Sequence, residues 1–314
     1  MNETLQQIGL YGIVPVVVIN DASHASPLAD ALADGGLPCI EVTFRTAAAP
    51  AAIGSIAKHH PSMLLGAGTV LTVDQVRQAV DLGSRYIVSP GLNRKVVEYC
   101  LAREIPITPG VATPTEIEAA LDLGLEVVKF FPAEPLGGLP YLKAIAAPYK
   151  SVKFIPTGGI DEANLLGYLK FPSVVACGGS WMVKAELISG GKFDEIRSIT
   201  SRALSLMLGF NIQRPAMETS AGSLVDFKRR LAGVLALPEG EADFWIASTS
   251  SGQASRETGS QLSITTNFID RAVAYLERRG VQVRPGSREE KNGRLLSVSL
   301  DREIEGNTVR VLQV

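Results

Sequence analysis

Cysteine, histidine and aromatic residues are scarce in this chain of 314 residues, which holds three cysteines, three histidines and 6 % Phe, Trp and Tyr. Cys39, Cys100 and Cys177 are widely spaced and odd in number, and form no Cys-x-x-Cys pair. They cannot build a disulfide framework, which points to a reducing cytoplasm. His24, His59 and His60 show no metal-ligand spacing with nearby carboxylates or thiols, and no histidine follows His60. No metal mechanism and no cofactor is expected. Long apolar runs are missing too. The longest near the start, Ile13–Ile19, contains a proline and is too short to span a bilayer. No charged leader with a small-residue cleavage site precedes it. Neither sign of charge dominates: 30 Lys and Arg against 32 Asp and Glu leave a net charge of −2. That balance excludes a strong electrostatic footprint for nucleic acid or an anionic membrane. There is no Gly-x-Ser-x-Gly elbow and no P-loop. A dinucleotide fingerprint starting at Gly66-x-Gly68 would need a third glycine where Leu71 stands.

What is present is apolar and unevenly organised. Hydrophobic residues make up 46 % of the chain and the mean hydropathy is +0.18, enough for a sizeable core. From Gly222 to Val314, 13 basic and 12 acidic residues occupy 93 positions, whereas the first 221 residues hold 17 and 20. The net charge thus splits into −3 and +1, and sixteen of the 18 prolines fall in the first part. This shift predicts two domains, 1–212 and 224–314, joined by a linker at 213–223 where Gln213-Arg214-Pro215-Ala216 breaks the periodic pattern. Ser248–Ser260, rich in serine and glycine, reads as a loop within the second domain.

The first part alternates short apolar runs with helical stretches. The runs are Ile13–Ile19, Cys39–Phe44, Leu64–Val70, Tyr86–Ser89, Ile105–Thr108, Val127–Phe131, Lys153–Ile155 and Val174–Cys177. Capping boxes stand at Thr72 with Gln75 and at Thr113 with Glu116, the latter with Pro114 at the first helical position. Eight almost continuously apolar strands separated by helices predict an α/β fold, a (β/α)8 TIM barrel, with an open doubly wound sheet as the runner-up.

Catalytic groups of a barrel gather at the C-terminal ends of its strands. In the second run Glu41, Thr43 and Arg45 share one face. Burial there favours a neutral Glu41 carboxyl, and the Arg45 guanidinium favours the ionised one. A structural ion pair explains the pattern as well. Lys129, within Val127-Val128-Lys129-Phe130-Phe131-Pro132, lies amid apolar residues. Desolvation favours the neutral amine, which can attack a carbonyl and form a Schiff base; a lysine that snorkels to solvent is the plainer alternative. Lys153 has the same spacing to a proline, and pattern alone does not choose between the two. The seventh and eighth runs lead into Thr157-Gly158-Gly159 and Gly178-Gly179-Ser180. Paired glycines at these ends suit an anion, because backbone N–H groups can approach it closely.

Six motifs in order over about residues 5–208 resemble the 2-keto-3-deoxy-6-phosphogluconate / 2-keto-4-hydroxyglutarate (KDPG/KHG) aldolases. They are Ile40-Glu41-Val42-Thr43-Phe44-Arg45-Thr46, Gly66-Ala67-Gly68-Thr69-Val70, Ser89-Pro90-Gly91, Lys129-Phe130-Phe131-Pro132-Ala133-Glu134, Pro156-Thr157-Gly158-Gly159-Ile160 and Gly178-Gly179-Ser180-Trp181. The resemblance implies that Lys129 is the Schiff-base lysine and Glu41 the proton-transfer residue. It places Arg45 and Thr69 on the substrate carboxylate, Pro90 in the pocket wall, and Thr157, Gly158, Gly159, Gly179 and Ser180 at the distal phosphate or carboxylate. Lys153 matches no functional position. Some relatives carry an arginine late in the first strand, near Val18 or Ile19 here, where this chain has none. Distal anion recognition is then expected to rest mainly on the glycine loops. The implied activity is a class I aldolase acting on a small 2-keto acid, cytoplasmic and homo-oligomeric (a trimer or higher). A phosphosugar isomerase or epimerase and a non-catalytic sugar-acid sensor are the competing readings. Retention of Lys129 with Glu41 favours the aldolase, since isomerisation requires no Schiff base.

The C-terminal part predicts a small α+β domain of βαβββ order. A strand at Phe244–Ala247 precedes Gln261–Thr266, a helix capped by Asn267 and running through Arg279, and strands Val281–Arg284, Leu295–Leu300 and Thr308–Leu312. Ile269, Ala272, Val273 and Leu276 form the apolar stripe of the helix. The segment resembles one module of the glyoxalase/bleomycin-resistance (vicinal oxygen chelate, VOC) superfamily. No histidine follows His60, so a metal centre is not expected; packing or assembly is the preferred reading, and a small-molecule regulatory site is the alternative.

Overall fold

The computed structural model describes residues 1–213, 221–238, 245–248, 261–304 and 306–314. They divide into two compact units, Met1–Ser201 and Arg202–Val314. The division falls before the expected domain end at 212, and most of the expected linker and of Ser248–Ser260 lies outside the described residues.

In the first unit the strands are β1 (Ile13–Val17), β2 (Cys39–Thr43), β3 (Leu64–Gly68), β4 (Tyr86–Ser89), β5 (Ile107–Val111), β6 (Val127–Phe130), β7 (Lys153–Pro156) and β8 (Cys177–Gly179). Their order is β7-β6-β5-β4-β3-β2-β1-β8, with parallel pairing throughout. Parallel bridges Phe154↔Val174 and Thr157↔Gly178 join the β7 and β8 sides. The sheet therefore curls into a (β/α)8 barrel, and the open doubly wound alternative is excluded. Two expected strands move toward the C-terminus: β5 begins at Ile107 rather than Ile105, and β8 begins at Cys177, where the run at Val174 was expected to end. Both observed strands include glycine, which apolar-run reading undervalues. Gly110 is packed so tightly that a Cβ would overlap the Pro90 carbonyl.

The helices outside the barrel are α1 (Glu3–Tyr11), α2 (Ala25–Asp34), α3 (Ala49–His59), α4 (Val73–Asp81), α5 (Arg94–Leu101), α6 (Pro114–Asp122), α7 (Gly138–Ala146), α8 (Leu165–Leu169), α9 (Ala185–Ser189) and α10 (Phe193–Leu208). α10 runs across the division between the units. At α6 the capping box forms in full: Thr113 accepts from the Glu116 amide, and Glu116 accepts in return from Thr113. At α4, Thr72 accepts from Gln75 N–H, while the Gln75 side chain reaches one residue further back, to Leu71 N–H at 2.7 Å. α1 was not anticipated. Asn2 caps it, accepting from Leu5 N–H at 2.9 Å, and it buries Leu5, Ile8 and Tyr11. Ile8 reaches the barrel interior and faces the same small cavity as Lys129. All three cysteines are buried and none is in a disulfide, and burial pushes the Cys100 thiol up to about 12.

The second unit is a six-stranded sheet of order β10-β9-β11-β14-β13-β12. Its strands are β9 (Asn211–Gln213), β10 (Ala247–Ser248), β11 (Gln261–Thr266), β12 (Glu289–Lys291), β13 (Arg294–Ile304) and β14 (Asn307–Gln313), with helices α11 (Ala221–Val234) and α12 (Ile269–Arg278). The βαβββ order is present as β11, α12, β12, β13 and β14, with β11 parallel to β14. The expected stripe of Ile269, Ala272, Val273 and Leu276 is buried. Val281–Arg284 is not a strand; only Val283 bridges, to Leu300. The strand before β13 is instead Glu289–Lys291, three exposed charged residues that apolar patterning does not detect. Asn267 does not cap α12 with its side chain. Its amide donates to the carbonyls of Leu206 and Met207 at 3.3 and 3.2 Å.

Candidate active site

β2 is buried along its whole length. Glu41 faces the barrel interior, where it lines a small cavity with Ile8, Val14, Tyr86, Val88, Thr108, Lys129, Ile155 and Thr157. Thr43 is also buried and donates to the Val17 carbonyl at 2.8 Å. Lys129 projects from β6 into the same space. Its Nζ stands 3.6 Å from Glu41 Oε1, with only 6 % and 5 % of the two side chains exposed. Among the described residues Glu41 Oε1 has no hydrogen-bond partner. The Phe131 ring centroid lies 5.1 Å from Lys129 Nζ. A buried acid and amine at this distance carry their charges together or exchange a proton, and both tasks suit carbonyl chemistry.

Two glycines of β3 make room for this pair. A Cβ at Gly68 would overlap Glu41 Oε1 and lie 2.8 Å from its Cγ and Cδ. At Gly66 it would run into the Tyr86 ring. Burial pushes the Tyr86 hydroxyl well above the usual phenol range, with Cys39 and Glu41 adding to the effect. That hydroxyl donates to the Ile40 carbonyl at 3.2 Å. The two substitutions should therefore part company. Gly66→Ala overpacks a fixed ring and is expected to cost roughly 1–3 kcal/mol of stability. Gly68→Ala displaces a flexible carboxylate, so kcat should fall at least about tenfold with a smaller loss of stability. Thermal unfolding and kcat measured on both variants test this contrast.

Thr157 also borders a second, outer cavity of about 400 Å³. Arg45, Thr157, Gly158, Gly159, Gly179 and Ser180 all line it. Gly158 and Gly159 have φ of 97° and 82°, which disfavour a side chain. The loop that holds them is tied to the segment after Lys129: Ala133 N–H donates to Thr157 O at 2.8 Å and Glu134 N–H to Gly158 O at 3.0 Å. The Glu134 carboxylate accepts from Tyr168 at 2.5 Å, and Asn164 donates to Gly159 O at 2.9 Å. Arg45 Nε donates to Thr69 Oγ1 at 3.1 Å. Thr69 itself holds φ of 53°, a strained value for a β-branched residue. Pro90 stands beyond β4 against Gly110, and is not brought into the wall of either cavity.

Lys153, the competing lysine, occupies the first residue of β7, opposite Val127 rather than Lys129. Its Nζ donates to the Pro172 carbonyl at 3.1 Å. Sequence reasoning gave no role in the site to several outer-cavity residues: Val16, Val18, Phe131, Ile160 and the segment Val183, Lys184, Ala185 and Glu186. Val16 and Val18 were legible through period-two alternation on the first strand. The last four carried no motif and follow a turn after β8 that sequence does not aim.

Comparison with known proteins agrees with this geometry. The family model described as KDPG and KHG aldolase matches residues 5–199. The chain is 50 % identical over 195 residues to 2-dehydro-3-deoxy-phosphogluconate aldolase of Treponema pallidum (strain Nichols), covering 62 % of this chain and 93 % of that protein. It is 42 % identical over 192 residues to KHG/KDPG aldolase of Escherichia coli (strain K12), covering 61 % and 90 %. Among solved structures, KDPG aldolase from Legionella pneumophila, with pyruvate captured as a covalent carbinolamine intermediate, superposes with a TM-score of 0.62. That pair shares 39 % identity over 64 % of this chain and 98 % of the other. With the barrel, the buried lysine–carboxylate pair and the family match falling on the same residues, this chain belongs to the KDPG and KHG aldolase family.

Proposed function

We propose that the chain is a class I aldolase that cleaves 2-keto-3-deoxy-6-phosphogluconate to pyruvate and glyceraldehyde 3-phosphate, and/or 4-hydroxy-2-oxoglutarate to pyruvate and glyoxylate. The observation that carries this reading is the buried Lys129–Glu41 pair, 3.6 Å apart in the barrel interior. The Lys129 amine attacks the substrate C2 carbonyl, and loss of water leaves a cationic iminium. Glu41, directly or through a water, takes the proton of the C4 hydroxyl. The C3–C4 bond then breaks, its electrons flow into the iminium, and the aldehyde leaves. Protonation of the resulting enamine at C3 and hydrolysis release pyruvate and restore the free amine. Arg45, held by Thr69, orients the C1 carboxylate and keeps C2 within reach of the amine. The outer cavity receives the distal phosphate or carboxylate against Thr157, Gly158, Gly159, Gly179 and Ser180.

The second unit is a single glyoxalase-like (VOC) module, supported by its βαβββ order. Among the described residues, no His, Cys, Asp or Glu group is arranged to hold a metal ion. Its role is assembly into a homo-oligomer, a trimer or higher. The lack of a disulfide among the three cysteines supports a cytoplasmic setting. Pyruvate formation from each of the two substrates, measured side by side, tests the activity. Turnover of either one supports the aldolase, and no pyruvate from both overturns it.

A further inference from the structure

We propose that Lys184 is the cation that reads the distal anion and sets the preference for a phosphorylated substrate. The inference rests on the aldolase reading above and deepens it. The outer cavity is lined by two basic residues, Arg45 and Lys184, and one acidic residue, Glu186. Arg45 is engaged at the β2–β3 end through Thr69, where it suits the carboxylate next to the reacting carbon. Lys184 lines the cavity from the segment that follows β8, together with Gly179 and Ser180.

The glycine loops alone supply neutral N–H dipoles, which tolerate either a carboxylate or a phosphate. A full positive charge separates the two, because its attraction scales with the charge of the ligand. A phosphate monoester near pH 7 carries about −1.5 to −2, against −1 for a carboxylate. Val18 lines the same cavity and offers no charge there, so Lys184 supplies the cation that the first strand lacks. Among the described residues the Lys184 ammonium makes no ion pair, so binding an anion breaks no salt bridge among them. Glu186 works against the anion and moderates the preference. Lys184 is exposed, so the attraction is screened and should weaken as salt rises.

The test is the ratio of kcat/KM for 2-keto-3-deoxy-6-phosphogluconate to that for 4-hydroxy-2-oxoglutarate. In the Lys184→Met variant of the 314-residue chain the ratio should fall roughly tenfold, mainly through a higher KM for the phosphorylated substrate. Lys184→Arg should restore most of it, and Glu186→Gln should raise it about twofold. A ratio in Lys184→Met within twofold of the parent value would overturn the inference, as would failure of Lys184→Arg to recover it. Borohydride with pyruvate on the unmodified chain keeps the two ideas apart. If no adduct forms, the aldolase reading fails; if an adduct forms and the ratio does not move, only the role of Lys184 fails.

Discussion

A Lys129→Ala chain is expected to lose aldol cleavage by roughly 10⁴–10⁶ in kcat, the scale on which enzymes lose activity when a covalent nucleophile is removed. Alanine leaves no amine to attack C2, so no iminium forms to accept the electrons of the C3–C4 bond. Borohydride added with pyruvate should reduce and trap an adduct on Lys129 in the parent chain, found by mass spectrometry of the digested protein. The variant should give none. Lys153→Ala is the control. Lys153 sits at the entrance of β7, donates to a carbonyl there, and lies two residues below the level of Lys129. Its variant should keep its activity and its adduct. Near-parental cleavage by Lys129→Ala, or an adduct found on Lys153, would sink the proposed mechanism.

Glu41→Gln should lower kcat by roughly 10²–10⁴, the usual contribution of a positioned acid or base. Glutamine keeps the size of the side chain and cannot take the C4 hydroxyl proton. It also leaves the Lys129 amine without the carboxylate 3.6 Å away. Some stability should therefore be lost as well, because removing one partner of a buried pair strands the other. The two effects are separable. If Glu41 only balances charge, Glu41→Gln lowers the unfolding temperature while kcat in the folded protein stays near the parent value. If it moves protons, kcat collapses at temperatures well below unfolding. Full activity in a folded Glu41→Gln protein would remove the residue from proton transfer.

The fold was largely readable along the chain because a barrel strand is buried on both faces, so its apolar run is nearly continuous. Leu64–Gly68 and Tyr86–Ser89 show this plainly. Reading failed where the strand itself is made of glycine and proline. In Cys177–Gly179 and Ile107–Val111 backbone pairing survives with few side chains to signal it. It failed again at Glu289–Lys291, whose exposed charges fit an edge strand that faces water.

The sequence by itself determined that Glu41, Thr43 and Arg45 share a face, that two glycine pairs end the last strands, and that two lysines compete for one role. Those are properties of period, spacing and composition, all local along the chain. Only the tertiary structure decided which groups meet. It set Lys129 of β6 against Glu41 of β2, left Lys153 at the far end of β7, and brought Lys184 beside the glycine loops. Distances between residues far apart in the chain depend on strand register and barrel closure. Lys129 lies opposite Gly110 and Ile155, and Glu41 opposite Val16 and Gly66, because backbone pairing holds them there. Local pattern names the candidates, and register across the closed sheet determines which of them can share a proton.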